Sequence, residues 1–385
     1  MIRKVCAAFL LFFSSSFGLA EEDEKGFTPL FNGKDLSGWV NVSCAPSTWK
    51  FDDKGLLICS GKPVGEIRTD RMYQNFIMEL EWRHMVPAGN AGVFVWADDI
   101  TARGQPFIKG VEVQILDHAY GNTKGHTTHG DIFPIHGAKM KPVNGRGGSR
   151  AFPTENRSKP SPEWNHYRIE CQDGNISLAV NGKVVTQGTD SIPRKGYICL
   201  ESEGGVVHYR NVRVKELPDT PINPDHVAQE DRGFFNLYSG VDLSGWKPSH
   251  DNWKSRNWFI AFADEKDKES PSAKLSSLLP FGDVHFIFDV RRLPKTKTVS
   301  FLPRGMDGAA VEIGPENQKL AAMLVKEGGW NRIEGSIKGR VLSLKVNGTL
   351  LEDQRMPKDF PEEGPLTFEA NGPVEITSIY VRPAE

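Results

Sequence analysis

An internal repeat is the feature that most limits how this chain of 385 residues can fold. The first pair of matching segments is separated by 207 residues (36 to 243), and the two later pairs by 166 residues (164 to 330 and 181 to 347). The pairs are Leu36–Trp39 with Leu243–Trp246, Trp164–Asn165 with Trp330–Asn331, and Asn181–Gly182 with Asn347–Gly348. Because they keep the same order along the chain, the pairs indicate two copies of one domain.

The second copy is the shorter one, since the offset falls by 41 residues (207 to 166). Most of the loss lies between two matched points: 49 residues separate Ile115 from Trp164, but only 17 separate Ile313 from Trp330. The second copy therefore lacks a loop at about 117–161, which is rich in His, Gly and Asn.

The sequence also predicts a signal peptide before the first copy and a linker between the two copies. Arg3 and Lys4, an apolar run and a small-residue site before the acidic residues from Glu21 predict a signal peptide at 1–20 and export to the periplasm or beyond. We predict a first domain at 27–217, a proline-containing linker at 218–232 and a degenerate copy at 233–385.

Alternating polar and apolar residues predict extended strands in both copies. Val111, Val113 and Ile115 fall on one face of such a strand, and Glu112 and Gln114 on the other. Short strands separated by turn residues predict an all-β chain, with each copy folded as a β-sandwich or jelly roll.

Charge and cysteine usage limit the partners. The formal net charge is −2 and the chain has no basic stripe, which disfavours nucleic acid and anionic membranes as partners. No segment after the signal peptide is long and apolar enough to span a bilayer. Cys44, Cys59, Cys171 and Cys199 permit two disulfides, for example Cys44–Cys59, or four buried thiols.

Polar side chains on two predicted strands suggest a site. Glu81 shares a strand face with Glu79, and Arg83 follows on the same face, while Glu112 and Gln114 share the face of another strand. A charge within an apolar strand is costly unless it is paired or lies in a wet cleft. We interpret Glu79 as solvated and expect the other four to meet on one concave sheet.

The spacing Glu112-x-Gln114-x-x-Asp117 is the sharpest local pattern. A bulge near Leu116 would turn Asp117 to the side of Glu112 and place two carboxylates together, as glycosidic bond cleavage requires. The pattern is similar to the Glu-x-Asp-x-x-Glu signature of laminarinase-type glycosidases, with Gln in place of the middle acid and Asp in place of the last.

The loop missing from the second copy carries His118, His126, His129 and Asp131. His126 and His129 have a spacing compatible with a divalent metal ion, with Asp131 as a further candidate ligand. Hydrogen bonding to sugar hydroxyls, proton transfer and plain solvation are the alternatives for these side chains. Trp96 is a candidate platform for a sugar ring.

An ordered set of motifs resembles the 3-keto-disaccharide hydrolase domain family over about residues 27–217. The motifs are Phe31–Trp39, Glu81–Arg83, Asn90–Val93, Gly110–Asp117, Trp164–Asn165, Asn181–Gly182 and Tyr209–Val212. The resemblance implies a concanavalin/laminarinase-like jelly roll, and hence two in tandem. It also implies an activity on glycosides oxidised at C3, by hydrolysis or by base-initiated elimination.

The resemblance also suggests roles. It implies Glu112 or His118 as a base, Asp117 as the acid for the leaving oxygen, and Arg83 with Gln114 as ligands of the sugar. The further expected substrate contacts are Glu81, Asn90, Trp96, His126 and His129. A non-catalytic carbohydrate-binding protein is the alternative, and the second copy is expected to be catalytically inert.

Overall fold

The computed structural model describes residues 26–120, 129–263 and 272–384. The strands of the first half, in chain order, are β1 (Thr28–Pro29), β2 (Trp39–Asn41), β3 (Trp49–Phe51), β4 (Leu57–Cys59), β5 (Gly65–Thr69), β6 (Phe76–His84), β7 (Asn90–Ala97), β8 (Gly110–Leu116), β9 (Ile132–Ile135), β10 (Lys139–Pro142), β11 (Asn165–Gln172), β12 (Asn175–Val180), β13 (Lys183–Ile192), β14 (Tyr197–Ser202) and β15 (Val207–Glu216).

These strands form two antiparallel sheets. Sheet A has the order β10-β13-β12-β11-β6-β15-β4-β3, with β1 added at β15, and sheet B has the order β2-β5-β14-β7-β8-β9. The apolar residues of the alternating strands, such as Leu80 and Trp82 on β6 and Val111 and Val113 on β8, share one buried core. The polar residues between them therefore face outward, in opposite directions on the two sheets.

The strands of the second half are β16 (Phe235–Asn236), β17 (Trp246–Pro248), β18 (Trp253–Arg256), β19 (Phe259–Phe262), β20 (Ala273–Phe281), β21 (Val284–Arg292), β22 (Thr298–Leu302), β23 (Val311–Glu312), β24 (Trp330–Lys338), β25 (Val341–Val346), β26 (Thr349–Leu350), β27 (Gln354–Arg355), β28 (Gly364–Asn371) and β29 (Val374–Pro383). Among the described residues, one short α-helix (Gln318–Ala321) occurs, with 3₁₀ turns at Pro46–Thr48, Pro224–His226, Pro303–Gly305 and Asp307–Ala309.

The second half repeats the two-sheet plan. Sheet C has the order β18-β19-β29-β21-β24-β25-β26, with β16 and β27 at its sides, and sheet D has the order β17-β20-β28-β22-β23. A second apolar core lies between sheets C and D. The all-β fold class, with two successive jelly-roll sandwiches, is confirmed.

The repeated residues make the same contacts in both halves. The indole Nε1 of Trp39 donates to Leu30 O at 2.7 Å, and that of Trp246 donates to Leu237 O at 3.1 Å. The Asn181 amide donates to Asn165 Oδ1 at 3.1 Å, and the Asn347 amide donates to Asn331 Oδ1 at 2.9 Å in the second half. The repeated motifs therefore hold turns and strand ends in place.

The four cysteines could form two disulfides or remain as thiols, and the structure shows four thiols. Cys44, Cys59, Cys171 and Cys199 are all free and buried. Burial raises the pKa of Cys44 to about 12 and that of Cys59 to about 11, so neither is a reactive thiolate. Within the described ranges no helix has the length and apolar character needed to cross a membrane. The predicted signal peptide lies outside the described residues, and export stays a prediction.

Candidate functional site

A row of carboxyl groups crosses the outer face of sheet B. Glu66 on β5 pairs directly with Glu201 on β14, so their side chains share that face. Continuing across the sheet, Gly92 of β7 lies beside Glu201 and pairs with Gln114 of β8. Glu112 is two residues from Gln114 and therefore points to the same side. We call Glu66, Glu112, Glu201 and Glu203 the acidic cluster.

Gly92 makes this row possible because it has no side chain. A Cβ at that position would lie 2.9 Å from both Glu112 Oε1 and Glu201 Oε2. The carboxyl groups of Glu112 and Glu201 therefore approach each other above the backbone of Gly92. The side chain of any other residue at this position would occupy the space between them.

Burial favours the neutral form of the inner carboxyl groups. Glu66 is 0% exposed, Glu201 1% and Glu112 6%. Burial raises the pKa of all three well above the ordinary value, and the neighbouring carboxyl groups add to the shift at each. Among the described residues, Glu66 Oε1 and Glu201 Oε2 have no hydrogen-bond partner.

Glu203 occupies a different environment at the edge of the cluster. It lies one residue beyond the end of β14 and is half-buried. Burial raises the pKa of Glu203 to about 7, although the Asn90 side-chain amide donates to Glu203 Oε2 and works in the opposite direction. Asn90 Oδ1 in turn accepts from Gln114 Nε2 at 2.9 Å. Neighbouring strands thus orient a carboxyl group that titrates near neutral pH.

One cation lies within electrostatic range of Glu112. The Arg150 guanidinium forms an ion pair with Asp131 at 3.0 Å and stacks on the Phe133 ring at 3.4 Å from its centroid. Its charge lowers the pKa of Glu112, against the larger effects of burial and Glu203. Asp131, a candidate metal ligand in the sequence, is therefore paired with an arginine.

The prediction that Glu81 and Arg83 meet Glu112 and Gln114 in one pocket is wrong. Glu81 and Arg83 lie on the outer face of sheet A, and the apolar core separates them from sheet B. The Glu81 carboxylate accepts from Arg210 Nε at 2.9 Å. Arg83 stacks on the Trp164 ring, 4.5 Å from its centroid. Alternation indicates which face a side chain is on, but not which sheet the strand joins.

Asp117 does not join Glu112 either. The pairing of β7 with β8 is regular from Val95–Val111 to Asn90–Leu116, so no bulge turns the chain there. The Asp117 carboxylate instead accepts backbone N–H bonds from Ala88, Ala119 and Ser161, each at 2.9 Å. Burial alone would raise the pKa of Asp117, but the three N–H donors outweigh it and lower the pKa. Such a carboxylate anchors loops and is a poor proton donor.

Two histidines of the loop, His118 and His129, lie in ring contact with their planes tilted by 35°. The rings of His118 and His129 have centroids 4.8 Å apart, and His118 Nε2 lies 2.7 Å from Ser158 Oγ. Burial, with a contribution from His118, lowers the pKa of His129 to about 4, so it stays neutral at physiological pH. His126 lies outside the described residues. Within the described ranges, no group of three or more His, Cys, Asp or Glu residues is arranged to hold a metal ion.

The prediction that Trp96 stacks on a sugar is wrong, because Trp96 is a core residue. It is fully buried, donates its Nε1 to Gln74 O at 2.8 Å and contacts Phe76 edge-on. Its φ of 53° coincides with a register shift between β7 and β14, which breaks the alternation and turns the indole inward. Asn90, its predicted neighbour in the site, does reach the acidic cluster.

Three members of the acidic cluster were missed by the sequence analysis: Glu66, Glu201 and Glu203. A signal was present for two of them, because Glu201 and Glu203 stand two residues apart at the end of an apolar strand. The same alternation had identified Glu112 and Gln114 on β8.

The second sandwich lacks this cluster. By strand register, Ser300, Glu312 and Glu369 stand where the first sandwich has Gly92, Gln114 and Glu201. Counting two residues along the same strands puts Ala310 in place of Glu112 and Asn371 in place of Glu203. The second sandwich therefore retains neither the Glu112 nor the Glu203 carboxyl group.

Comparison with protein families gives one match in the first half. Residues 26–215 match the model of the 3-keto-alpha-glucoside-1,2-lyase-like domain. The matched range contains every residue of the acidic cluster. No curated protein matches the chain.

Three solved structures each match about half of the chain. A protein from Parabacteroides distasonis ATCC 8503, described as a candidate glycosyl hydrolase, is 22% identical, with 51% of this chain and 97% of that chain covered and a TM-score of 0.41. The carbohydrate-binding module CBM66 from Bacillus subtilis is 13% identical, with 46% and 96% covered and a TM-score of 0.34. A β-glucanase from Bacillus licheniformis is 16% identical, with 50% and 97% covered and a TM-score of 0.34.

Proposed function

We propose, from the premise that residues 26–215 form a 3-keto-alpha-glucoside-1,2-lyase-like domain, that the protein cleaves glycosides oxidised at C3 by base-initiated elimination. The acidic cluster of sheet B is the reaction centre in this proposal. Glu203 acts as the base and Glu112 as the acid. The second sandwich takes no chemical part.

The observation that carries the proposal is the different burial of two neighbouring carboxyl groups, since Glu112 is buried and Glu203 is half-buried. Glu203 has a pKa of about 7 and is partly ionised at neutral pH, whereas Glu112 is more deeply buried and has a pKa well above the ordinary value. Two carboxyl groups whose surroundings separate their pKa values can serve as a base and an acid in one reaction.

The reaction needs both groups. The ketone at C3 acidifies the C2–H bond, so a carboxylate can take that proton and the bonding electrons form an enolate. The enolate then re-forms the C3 ketone, a double bond forms between C1 and C2, and the C1–O bond breaks. The leaving oxygen takes the proton of the acid. The products are an unsaturated 3-keto sugar and the free aglycone, with no other reactant.

The surrounding side chains orient this pair. Asn90 holds Glu203 through its amide, and Gln114 fixes Asn90 at 2.9 Å. Arg150 is the cation available to stabilise negative charge that develops near Glu112. Gln114 keeps a place in the site, but as a positioning residue, since its amide also donates to Ala91 O at 3.2 Å.

The substrate class is tested by incubating the purified protein with aryl 3-keto-glucosides and with the same glucosides unoxidised at C3, with and without a chelator. We expect release of the aryl alcohol from the oxidised compounds alone, because only they have an acidic C2–H bond. The chelator is expected to have no effect if carboxyl groups carry the chemistry. Inactivity towards both series, with retained binding, would instead identify a carbohydrate-binding protein.

A further inference from the structure

Residues 98–109, which join β7 to β8, contact the second sandwich. Two further contacts lie outside this segment: Val64 N donates to Asn257 Oδ1 at 2.9 Å, and the Asn236 amide donates to Val42 O at 3.2 Å.

Within residues 98–109, Ala102 N donates to Phe107 O at 2.8 Å and Asp98 N to Lys109 O at 2.9 Å, so the segment is a small hairpin. We call residues 98–109 the connecting hairpin. The strand it leads into carries Glu112 and Gln114.

Buried polar groups of sheet C form hydrogen bonds with the turn of this hairpin. Arg332 Nη2 donates to Thr101 O at 2.8 Å, and Asp289 Oδ2 accepts from Gly104 N at 2.8 Å. Thr101 Oγ1 lies 3.1 Å from the Tyr380 hydroxyl. Asp289 is fully buried, and Thr101 and Tyr380 are at most 2% exposed. Buried hydrogen bonds of this kind fix geometry, because breaking one leaves an unpaired polar group.

Apolar packing surrounds these hydrogen bonds. Ile287 and Tyr380 of sheet C belong to one buried cluster with Phe94, Ile100 and Ile108 of the first sandwich. The glycine at position 104 is required for the fit, since a Cβ there would lie 2.1 Å from the Trp330 ring. The two halves therefore meet in a buried contact with closely fitting side chains.

The outer face of sheet C makes different contacts from the corresponding face of sheet A. Asp289 is the repeat counterpart of Glu81, since each is the sixth residue of the corresponding strand, β21 in the second sandwich and β6 in the first. Glu81 pairs with Arg210 and Asn211 on an open surface. Asp289 instead pairs with Arg332 at 2.8 Å and holds the backbone of the connecting hairpin.

The other end of the hairpin touches the acidic cluster. Ile108 N donates to Glu66 Oε2 at 2.9 Å, and so satisfies one oxygen of that buried carboxyl group. A continuous path of contacts thus leads from sheet C, through Thr101 and Ile108, to the inner end of the cluster.

We propose that the second sandwich is a positioning module, which fixes the connecting hairpin through sheet C and thereby holds Glu66 and β8 in place. The assignment gives a role to the half of the chain that lacks Glu112 and Glu203. Its partner is the first sandwich of the same chain.

The test uses two conservative variants of the full chain. Tyr380→Phe removes the contact of the Tyr380 hydroxyl with Thr101, and Thr101→Val removes that contact together with the 2.8 Å contact between Thr101 Oγ1 and Ser378 Oγ of sheet C. We expect amide hydrogen exchange at Ile108 to become about tenfold faster in both, because a lost buried hydrogen bond permits local opening. The matched control is Thr367→Val, which removes a buried hydroxyl pair with Ser276 inside the second sandwich.

Two outcomes would overturn the positioning role: unchanged exchange at Ile108 in both variants, or the same acceleration in Thr367→Val. A second arm measures turnover of a 3-keto-glucoside and rests on the proposed function. There we expect a lower kcat with little change in KM for Thr101→Val and Tyr380→Phe, and neither change for Thr367→Val. The exchange result stands independently of the substrate.

Discussion

Replacing Glu112 with Gln lowers kcat for a C3-oxidised glucoside by about 10²- to 10⁴-fold, the range typical of losing a general acid. Glutamine keeps the size of the side chain and cannot give a proton to the leaving oxygen. Because burial raises the pKa of Glu112 well above its ordinary value and so favours the neutral acid, we expect replacement by a neutral amide to leave the unfolding transition near its original temperature. The measurement is steady-state kinetics with a thermal melt of each variant.

The matched control is Glu81→Gln, the same chemical change on the outer face of sheet A. The sequence predicted Glu81 as a substrate ligand, but the structure places it beyond the apolar core, in an ion pair with Arg210. We therefore expect kcat and KM of Glu81→Gln to match the wild type. Full turnover by Glu112→Gln, or an equal loss in Glu81→Gln, would remove Glu112 from the mechanism.

Replacing Glu203 with Gln has an effect of similar size, about 10²- to 10⁴-fold, because the base that removes the C2 proton is lost. The wild type gives the pH dependence. With a pKa of about 7, Glu203 is protonated below neutral pH, so kcat/KM should rise as pH increases through about 7. It should fall again at higher pH, as the more deeply buried Glu112 loses its proton.

The variant Glu203→Gln is expected to lose the rising limb near pH 7 together with its activity. Glu216→Gln is the control, since Glu216 is an exposed carboxylate paired with Arg71 away from sheet B. A rising limb that persists near pH 7 in Glu203→Gln would assign that titration to another group.

The repeat made the architecture predictable. Each recurring motif fixes a local contact, such as the indole hydrogen bond of Trp39 and Trp246, so its residues are visible in the sequence of both halves. The hairpin turn between β11 and β12 has a local signal instead: Asp173 and Gly174 are residue types that adopt the positive φ values, 51° and 81°, that such turns require.

The site was only half predictable, because alternation carries no information on strand neighbours. Glu112 and Gln114 were identified from β8 alone, whereas the register with β5 and β14 that brings Glu66 and Glu201 beside them comes from contacts between distant segments. Because the sequence does not show which strands pair, Glu81 and Arg83 were predicted beside Glu112, although their strand belongs to sheet A.

Local irregularities caused the remaining errors. Trp96 adopts a φ of 53°, which reverses the face expected from its position in β7. Asp117 was expected at a bulge, but the pairing of β7 and β8 is regular and three backbone N–H groups capture its carboxylate instead. Neither a single positive φ nor a set of loop N–H donors leaves a pattern in the sequence.

The most direct test of the account is the reaction of a 3-keto-glucoside carrying deuterium at C2, followed by kinetics and by identification of the first product. Proton abstraction by Glu203 predicts a primary deuterium isotope effect and an unsaturated 3-keto sugar that appears with the aglycone. A reaction with no isotope effect, whose first product already carries solvent oxygen at C1, would contradict elimination at the acidic cluster.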